Sequence, residues 1–226
     1  MWDTAPFEDR ADAGRRLAHA LRHLAGQSGL LVLALPRGGV AVAYPVAQAL
    51  QAELDLMLVR KLGLPHRPEY AMGAIGSRGV RILQPGVPGL MGVTAAEVEE
   101  IIGIEQAELE RRARHYRGAR PPADLFGRTV VLVDDGIATG ASMGVAIDVA
   151  RQGAPARLVV ATPVAAPDTL RVLETAVDEV VCLLAPPRFR AVGQWYRRFD
   201  QTGDQEVQDL LARAWSSPPG RPTSTT

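Results

Sequence analysis

Short apolar runs recur along the chain and alternate with segments that have the spacing of amphipathic helices. The clearest run, Thr129 to Val133, is rich in β-branched residues, which is typical of a strand buried on both faces of a parallel sheet. The predicted strands are Leu30 to Leu35, Leu54 to Lys61, Thr129 to Val133, Arg157 to Val164 and Val177 to Leu184. The predicted helices between and before them cover about Ala11 to Ala25, Val40 to Ala52, Ala141 to Arg151 and Asp168 to Glu174. This alternation predicts an α/β fold, with a mostly parallel sheet, right-handed crossovers and flanking helices as in a Rossmann-like core.

The middle of the chain has a different pattern. Tyr70 to Ile75 and Val80 to Leu83 are predicted to be short strands joined by a hairpin-type turn. Thr94-x-x-Glu97 is a capping box that opens a long helix to about Arg117. We therefore expect one domain over residues 1–215, with a core at about 28–185, a mobile loop or helical insertion at about 76–120 and a C-terminal hood at 186–215. The polar, proline-rich residues 216–226 predict a disordered tail.

The most informative stretch is Val130 to Ser142, which reads VVLVDDGIATGAS. Asp134 and Asp135 stand where the apolar strand ends, and two adjacent acids can accept hydrogen bonds from two vicinal hydroxyls or gather a hard cation. The glycines that follow allow backbone amides to approach an anion, and the next helix begins there with its positive dipole end. The pattern predicts a phosphorylated ribose as ligand. The alternative is that the acids merely cap a helix, which the doublet makes a weaker interpretation.

Two further segments carry candidate chemistry. Pro36-Arg37-Gly38-Gly39 follows the first strand, and such a loop can offer amides and a cation to a pyrophosphate. Lys61 is the only lysine among 25 basic residues, and the chain has no asparagine. This bias indicates that arginine replaced lysine wherever it would serve, so a compact ammonium is suspected to be required at Lys61. Its survival by chance on a solvated surface is the alternative.

Composition narrows the classes of function. The length of 226 residues and the 47% hydrophobic content suffice for one α/β enzyme domain. A formal net charge of zero argues against an extended nucleic-acid surface. A single cysteine, Cys182, excludes a disulfide framework, and no apolar run approaches membrane-spanning length. We expect a soluble cytoplasmic protein without a nucleic-acid or membrane partner.

Val130 to Ser142 resembles the signature of the type I phosphoribosyltransferases. Members of that family bind 5-phosphoribosyl-1-pyrophosphate (PRPP) with Mg²⁺ and transfer its phosphoribosyl group to a nitrogenous base. Gly136 departs from the signature, where the family more often has an apolar residue, and this departure predicts a looser turn. The resemblance implies that the ribose and 5-phosphate are held by Asp134, Asp135, Gly136, Ile137, Ala138, Thr139, Gly140, Ala141 and Ser142. It also implies magnesium at Asp134 and Asp135, through PRPP or water.

The same resemblance assigns the reacting groups. The implied pyrophosphate site consists of Arg37, Gly38, Gly39, Arg60 and Lys61. Catalysis would rest on Arg37 and Lys61, which stabilise the leaving pyrophosphate, and on Asp134 and Asp135, which steady the positive charge on the sugar. A flexible loop that excludes water and a homodimeric assembly are further implications of the family.

The C-terminal segment is the candidate hood over the base. Pro186 to Phe199 concentrates aromatic rings beside arginines in a chain with only 5% aromatics. Trp195 and Tyr196 could stack on a heterocycle, and packing of these rings on the core or on a dimer partner is an equally good explanation.

Three functions therefore remain open. The leading hypothesis is a Mg²⁺-dependent phosphoribosyltransferase in nucleotide salvage, acting on a purine or pyrimidine-like base that the sequence does not identify. The second is a PRPP-binding regulator without turnover. The third is a hydrolase or side-chain modifier that consumes PRPP and needs no free base.

Overall fold

The structure is a computed structural model that describes residues 7–216. Its helices are α1 (Arg10–Ala20), α2 (Gly38–Leu50), α3 (Val87–Leu90), α4 (Ala95–Arg117), α5 (Ala141–Gln152), α6 (Pro167–Glu174) and α7 (Asp204–Ser216). Its strands are β1 (Leu30–Ala34), β2 (Glu53–Leu56), β3 (Val59–Leu64), β4 (Arg67–Gly76), β5 (Arg81–Leu83), β6 (Thr129–Val133), β7 (Arg157–Val164) and β8 (Glu179–Leu184). No helix in this part of the chain is both long and apolar enough to cross a membrane.

The main sheet has five parallel strands in the order β2-β1-β6-β7-β8. Alternate residues of β1 belong to different apolar clusters, with Val32 packed on the side of α1 and α2 and Leu33 on the side of α5. Both faces of the central strands are thus covered, which explains why these segments are continuous apolar runs. The predicted α/β fold with a mostly parallel sheet is confirmed.

A second, antiparallel sheet in the order β3-β4-β5 forms the hood. The sequence predicted one strand over Leu54 to Lys61, and this prediction was wrong. The chain forms β2 in the main sheet, leaves it at Met57 and Leu58, and then forms β3 in the hood sheet. Because Met57 and Leu58 are buried, the apolar run continues through the change of sheet, and hydrophobic pattern alone cannot reveal it.

The segment between the hood and β6 is dominated by α4. The predicted capping box is present, because Thr94 accepts a hydrogen bond from the amide of Glu97 and the Glu97 carboxylate accepts one from the amide of Thr94. Val98, Ile102 and Leu109 are buried along one face of the helix. The predicted long helix is therefore confirmed as α4, and the mobile loop or helical insertion at about 76–120 stays a prediction.

The C-terminal region packs back onto the core. The indole of Trp215 on α7 donates a hydrogen bond to the carbonyl of Leu54 at 2.8 Å, which ties α7 to the edge strand β2. Ser216, the first residue of the predicted disordered tail, is the last residue of α7. Residues 217–226 of that tail lie outside the described residues.

Candidate active site

The two acids of the signature follow the carboxyl end of β6, where ligands gather in parallel sheets. The carboxylate of Asp134 accepts a hydrogen bond from the amide of Asp135 at 2.8 Å. Burial raises the pKa of the Asp134 carboxyl well above its usual value, and the neighbouring charge of Asp135 raises it further. The pair therefore resists carrying two negative charges unless a cation or a hydroxyl donor is close by.

The loop after the acids is fixed at one point and exposed beyond it. Ile137 is buried, and its amide donates to the carbonyl of Val164 on β7 at 2.9 Å. The following residues, Ala138, Thr139, Ala141 and Ser142, are exposed around the start of α5. Gly140 has a φ of +73° at the helix N-cap, a conformation that glycine adopts without strain. The exposed end of α5 presents backbone amides and the positive end of a helix dipole to solvent, as an anion site requires.

The Arg-Gly-Gly loop meets the acidic pair directly. Arg37 is the N-cap of α2, and the peptide bond between Pro36 and Arg37 is cis. A Cβ atom on Gly38 would lie 1.9 Å from a carboxylate oxygen of Asp135, and one on Gly39 would lie 2.7 Å from the carbonyl oxygen of Val133. Only glycine fits this approach, so the ends of β1 and β6 bring the two predicted loops into one site.

Sequence reasoning missed Arg10. Its Nε donates to a carboxylate oxygen of Asp135 at 2.7 Å, and the two side chains are only 12% and 16% exposed. The guanidinium also donates to the carbonyl of Asp200 and lies 3.9 Å from the centre of the Phe199 ring. No local pattern predicts this pair, because Arg10 and Asp135 are separated by most of the chain and meet only when α1 packs on the sheet.

Of the two aromatic residues predicted to cover the base, Tyr196 contacts the backbone of the acidic pair. The hydroxyl of Tyr196 donates to the carbonyl oxygen of Asp135 at 2.5 Å. The Tyr196 ring is 6% exposed and packs beside Phe7 and Phe199, with centroids 5.4 and 5.0 Å away. This arrangement favours the packing explanation for Tyr196. The indole nitrogen of Trp195 is buried and has no hydrogen-bond partner among residues 7–216.

Gly136 lies against the same C-terminal segment. A Cβ atom at Gly136 would lie 2.3 Å from the Cγ1 of Val192, so a side chain there would overlap the C-terminal segment. The departure from the family signature thus has a packing reason, since the missing side chain makes room for Val192. The predicted looseness of the turn is not needed to explain the glycine.

The remaining basic candidates lie on the hood sheet. Lys61 is exposed within β3, where its backbone pairs with Ala74, and it does not follow the end of a main-sheet strand as predicted. Arg60 forms an ion pair with Glu105 of α4 at 2.5 Å. The structure brings Gly38 and Gly39 to the acids, whereas the side chain of Arg37 lies 3.6 Å from Asp204 and Arg60 is paired with α4.

Comparison with known proteins decides the family. Residues 7–194 match the family model described as the phosphoribosyl transferase domain. The chain belongs to this family. Two curated proteins of Mycobacterium tuberculosis, from strains CDC 1551 and H37Rv and each provisionally named a phosphoribosyl transferase, are 48% identical to it over 208 residues. That alignment covers 92% of this chain and 47% of each relative, so the chain spans about half the length of these curated relatives.

A solved structure has a fold similar to that of this chain. The crystal structure of TT1426 from Thermus thermophilus is similar to this protein with a TM-score of 0.82 and 45% sequence identity. The similarity covers 92% of this chain and 98% of TT1426. The family predicted from Val130 to Ser142 is therefore confirmed.

Proposed function

We propose that this phosphoribosyl transferase moves the 5-phosphoribosyl group from PRPP to a nitrogenous base and releases pyrophosphate, in nucleotide salvage. The observation that carries the proposal is the contact between the Gly38 loop and Asp135. A diacid suited to a ribose and a glycine loop suited to a pyrophosphate meet there. PRPP carries its pyrophosphate on the ring carbon next to the two carbons that bear the vicinal hydroxyls. We also propose that the enzyme acts in the cytoplasm and, as the family resemblance implies, as a homodimer.

The acids would bind the sugar and respond to its charge. Asp134 and Asp135 accept hydrogen bonds from the two vicinal ribose hydroxyls. When the bond between the sugar and pyrophosphate breaks, positive charge develops on the ribose ring, and the anionic pair stabilises it. The guanidinium of Arg10, 2.7 Å from Asp135, offsets part of the repulsion between the two acids in the free protein.

The leaving group would be stabilised from the opposite side. Arg37 and the amide of Gly38 receive the pyrophosphate beside Gly39, whose own amide donates to the carbonyl of Leu35 at 3.1 Å. The exposed loop from Ala138 to Ser142 holds the 5-phosphate. Lys61 would reach the pyrophosphate from the hood sheet when the hood closes over PRPP and excludes water.

The donor set suits a magnesium ion only with help from the substrate. No group of three His, Cys, Asp or Glu side chains that could hold a metal is present within residues 7–216. Asp134 and Asp135 supply hard oxygen atoms, and PRPP and water would supply the rest. Bound in this way, Mg²⁺ would neutralise charge that develops on the leaving pyrophosphate.

The test is release of pyrophosphate from PRPP and Mg²⁺, first without a base and then with purines, pyrimidines and pyridine carboxylates. Release that depends on one base supports the transferase and names the acceptor. Release without any base would instead identify a hydrolase. PRPP binding without release would identify the regulator.

Variants connect the assay to the site. Asp134→Asn combined with Asp135→Asn should weaken PRPP binding, whereas Asp209→Asn, on the exposed face of α7, is the matched control. Lys61→Arg should lower turnover more than PRPP affinity. Unchanged PRPP affinity in the double variant would refute the ribose assignment, and full activity of Lys61→Arg would refute the role of the solitary lysine.

A further inference from the structure

The first turn of α6 contacts the exposed loop from Ala138 to Ser142 at two points. The hydroxyl of Thr169 donates a hydrogen bond to the carbonyl oxygen of Ala138 at 2.6 Å. The methyl group of the same side chain leaves no room for a side chain at Gly140, because a Cβ atom there would lie 2.5 Å from Thr169 Cγ2. Leu173, on the same helix, is buried in the core. Both contacts to the loop therefore come from an element that is itself anchored.

The hydroxyl of Thr169 does not serve its own helix. A threonine near the start of a helix often bonds to the backbone of its own first turn, and this is the ordinary explanation for one. Here the acceptor lies 31 residues away in the sequence. By contrast, the hydroxyl of Thr175 at the end of α6 donates to the carbonyl of Val172, three residues away, at 2.8 Å. The Thr169 contact therefore joins two elements, whereas the Thr175 contact is local.

The contact with Thr169 fixes the direction of the peptide group that follows Ala138. In a planar trans peptide the carbonyl and the amide point in opposite directions, and the bond between Ala138 and Thr139 is trans. Because α6 holds the carbonyl, the amide of Thr139 points away from α6. Within residues 7–216 this amide donates to no backbone acceptor. It is therefore free to donate to an anion at the exposed loop.

We propose that Thr169 is a positioning residue for the 5-phosphate, because it holds the Ala138 carbonyl and so turns the Thr139 amide toward that anion. This inference rests on the proposed function and adds to it a residue that acts through the backbone of the loop. A carbonyl oxygen turned toward a phosphate would repel it, whereas an amide donates a charge-assisted hydrogen bond. Without the Thr169 hydroxyl this peptide can rotate, and binding of the anion must then also order the loop.

The experiment measures binding of ribose 5-phosphate and of pyrophosphate to the full chain by titration calorimetry. Thr169→Val removes the hydroxyl and keeps a methyl group beside Gly140, so ribose 5-phosphate should bind about three- to tenfold more weakly. One net hydrogen bond accounts for a change of this size, and tenfold corresponds to about 1.4 kcal/mol. Pyrophosphate affinity should not change, because its proposed site is the loop at Arg37.

Two further variants separate positioning from stability. Thr169→Ser keeps the hydroxyl and should retain the wild-type affinity for ribose 5-phosphate. Thr175→Val is the matched control, because it removes a hydroxyl from the same helix whose hydrogen bond does not reach the loop. Its affinity for ribose 5-phosphate should equal that of the wild type. A merely structural role of Thr169 would lower the melting temperature and weaken binding of both ligands alike.

The possible results distinguish this inference from the proposed function. Unchanged ribose 5-phosphate affinity in Thr169→Val, or an equal loss for both ligands, would overturn the role of Thr169 and leave the transferase standing. Selective loss of ribose 5-phosphate affinity without turnover on any base would support the role of Thr169 and count against the transferase. Wild-type protein that binds neither PRPP nor ribose 5-phosphate would refute the 5-phosphate assignment, and this inference with it.

Discussion

The buried ion pair between Arg117 and Asp55 anchors the end of α4 to β2, and its loss should destabilise the protein strongly. The two side chains are 2% and 1% exposed, with Arg117 Nε donating to Asp55 at 2.8 Å. Arg117 also donates to the carbonyl of Leu56, and the second carboxylate oxygen of Asp55 accepts from the amide of Ala123 at 2.8 Å. Arg117→Met would therefore leave a buried carboxylate without its counter-charge.

The expected cost follows from that isolation. Removing one partner of a buried ion pair costs about 3–5 kcal/mol, since the remaining charge cannot be solvated. In a domain of this size about 1 kcal/mol corresponds to about 2–4 °C, so the melting temperature should fall by about 6–20 °C. Adding Asp55→Leu removes the stranded charge and should recover part of the loss. The backbone amides that Asp55 accepts from stay unsatisfied, so about 1–3 kcal/mol of the cost should remain.

The free energies of unfolding of Arg117→Met, Asp55→Leu and the double variant can be measured by thermal and urea unfolding. Arg114→Met is the matched control, because the Arg114 side chain is 70% exposed and lies 3.9 Å from Glu110. Such an exposed pair should change stability by less than about 0.5 kcal/mol. A loss below about 1 kcal/mol in Arg117→Met, or no recovery in the double variant, would refute the reasoning.

Three other predictions concern Asp134 and two residues near the acidic pair. Asp134→Asn should raise the melting temperature at pH 7, because the folded protein raises the pKa of this acid above 3.8 and so disfavours its charged form. The gain should disappear below about pH 3.8, where the acid is protonated in both states, and melting curves across pH would show either result. Gly136→Ala should destabilise the fold through overlap with Val192, and calorimetry that finds no loss would contradict the packing reason. Arg10→Gln should raise the KM for PRPP more than it lowers kcat if Arg10 positions Asp135, and steady-state kinetics separate the two effects.

Local sequence carried enough information to predict the main sheet and the two loops of the candidate site. The signature from Val130 to Ser142 and the loop at Arg37 are contiguous, and each follows a buried strand whose end fixes its place in the sheet. Contacts between distant segments were beyond such reasoning. Arg10 and Asp135 meet across the whole fold, and Arg117 looks in the sequence like one more base on a charged helix end.

The basic residues show why charge alone is a poor guide to a site. Lys61, singled out by composition, lies exposed on the hood sheet, whereas Arg111 and Arg112, which the sequence did not single out, line a cavity with Arg37. The difference between Lys61 and the two arginines lies in which residues of β3 and α4 face the Arg-Gly-Gly loop. Tertiary packing determines this, and the local sequence does not.

The acidic pair is held by features that do not favour stability. Asp134 is a half-buried acid with a raised pKa, and its surroundings are so close that a Cβ atom on Gly38 would meet the Asp135 carboxylate and one on Gly39 the carbonyl of Val133. A fold selected for stability alone would place an apolar residue at such a position and fill the space beside it. The opposing contacts from Arg10 and Tyr196, which come from the two ends of the domain, hold Asp135 in place despite this cost. The first helix and the C-terminal segment therefore complete the candidate site, because their contacts meet at Asp135.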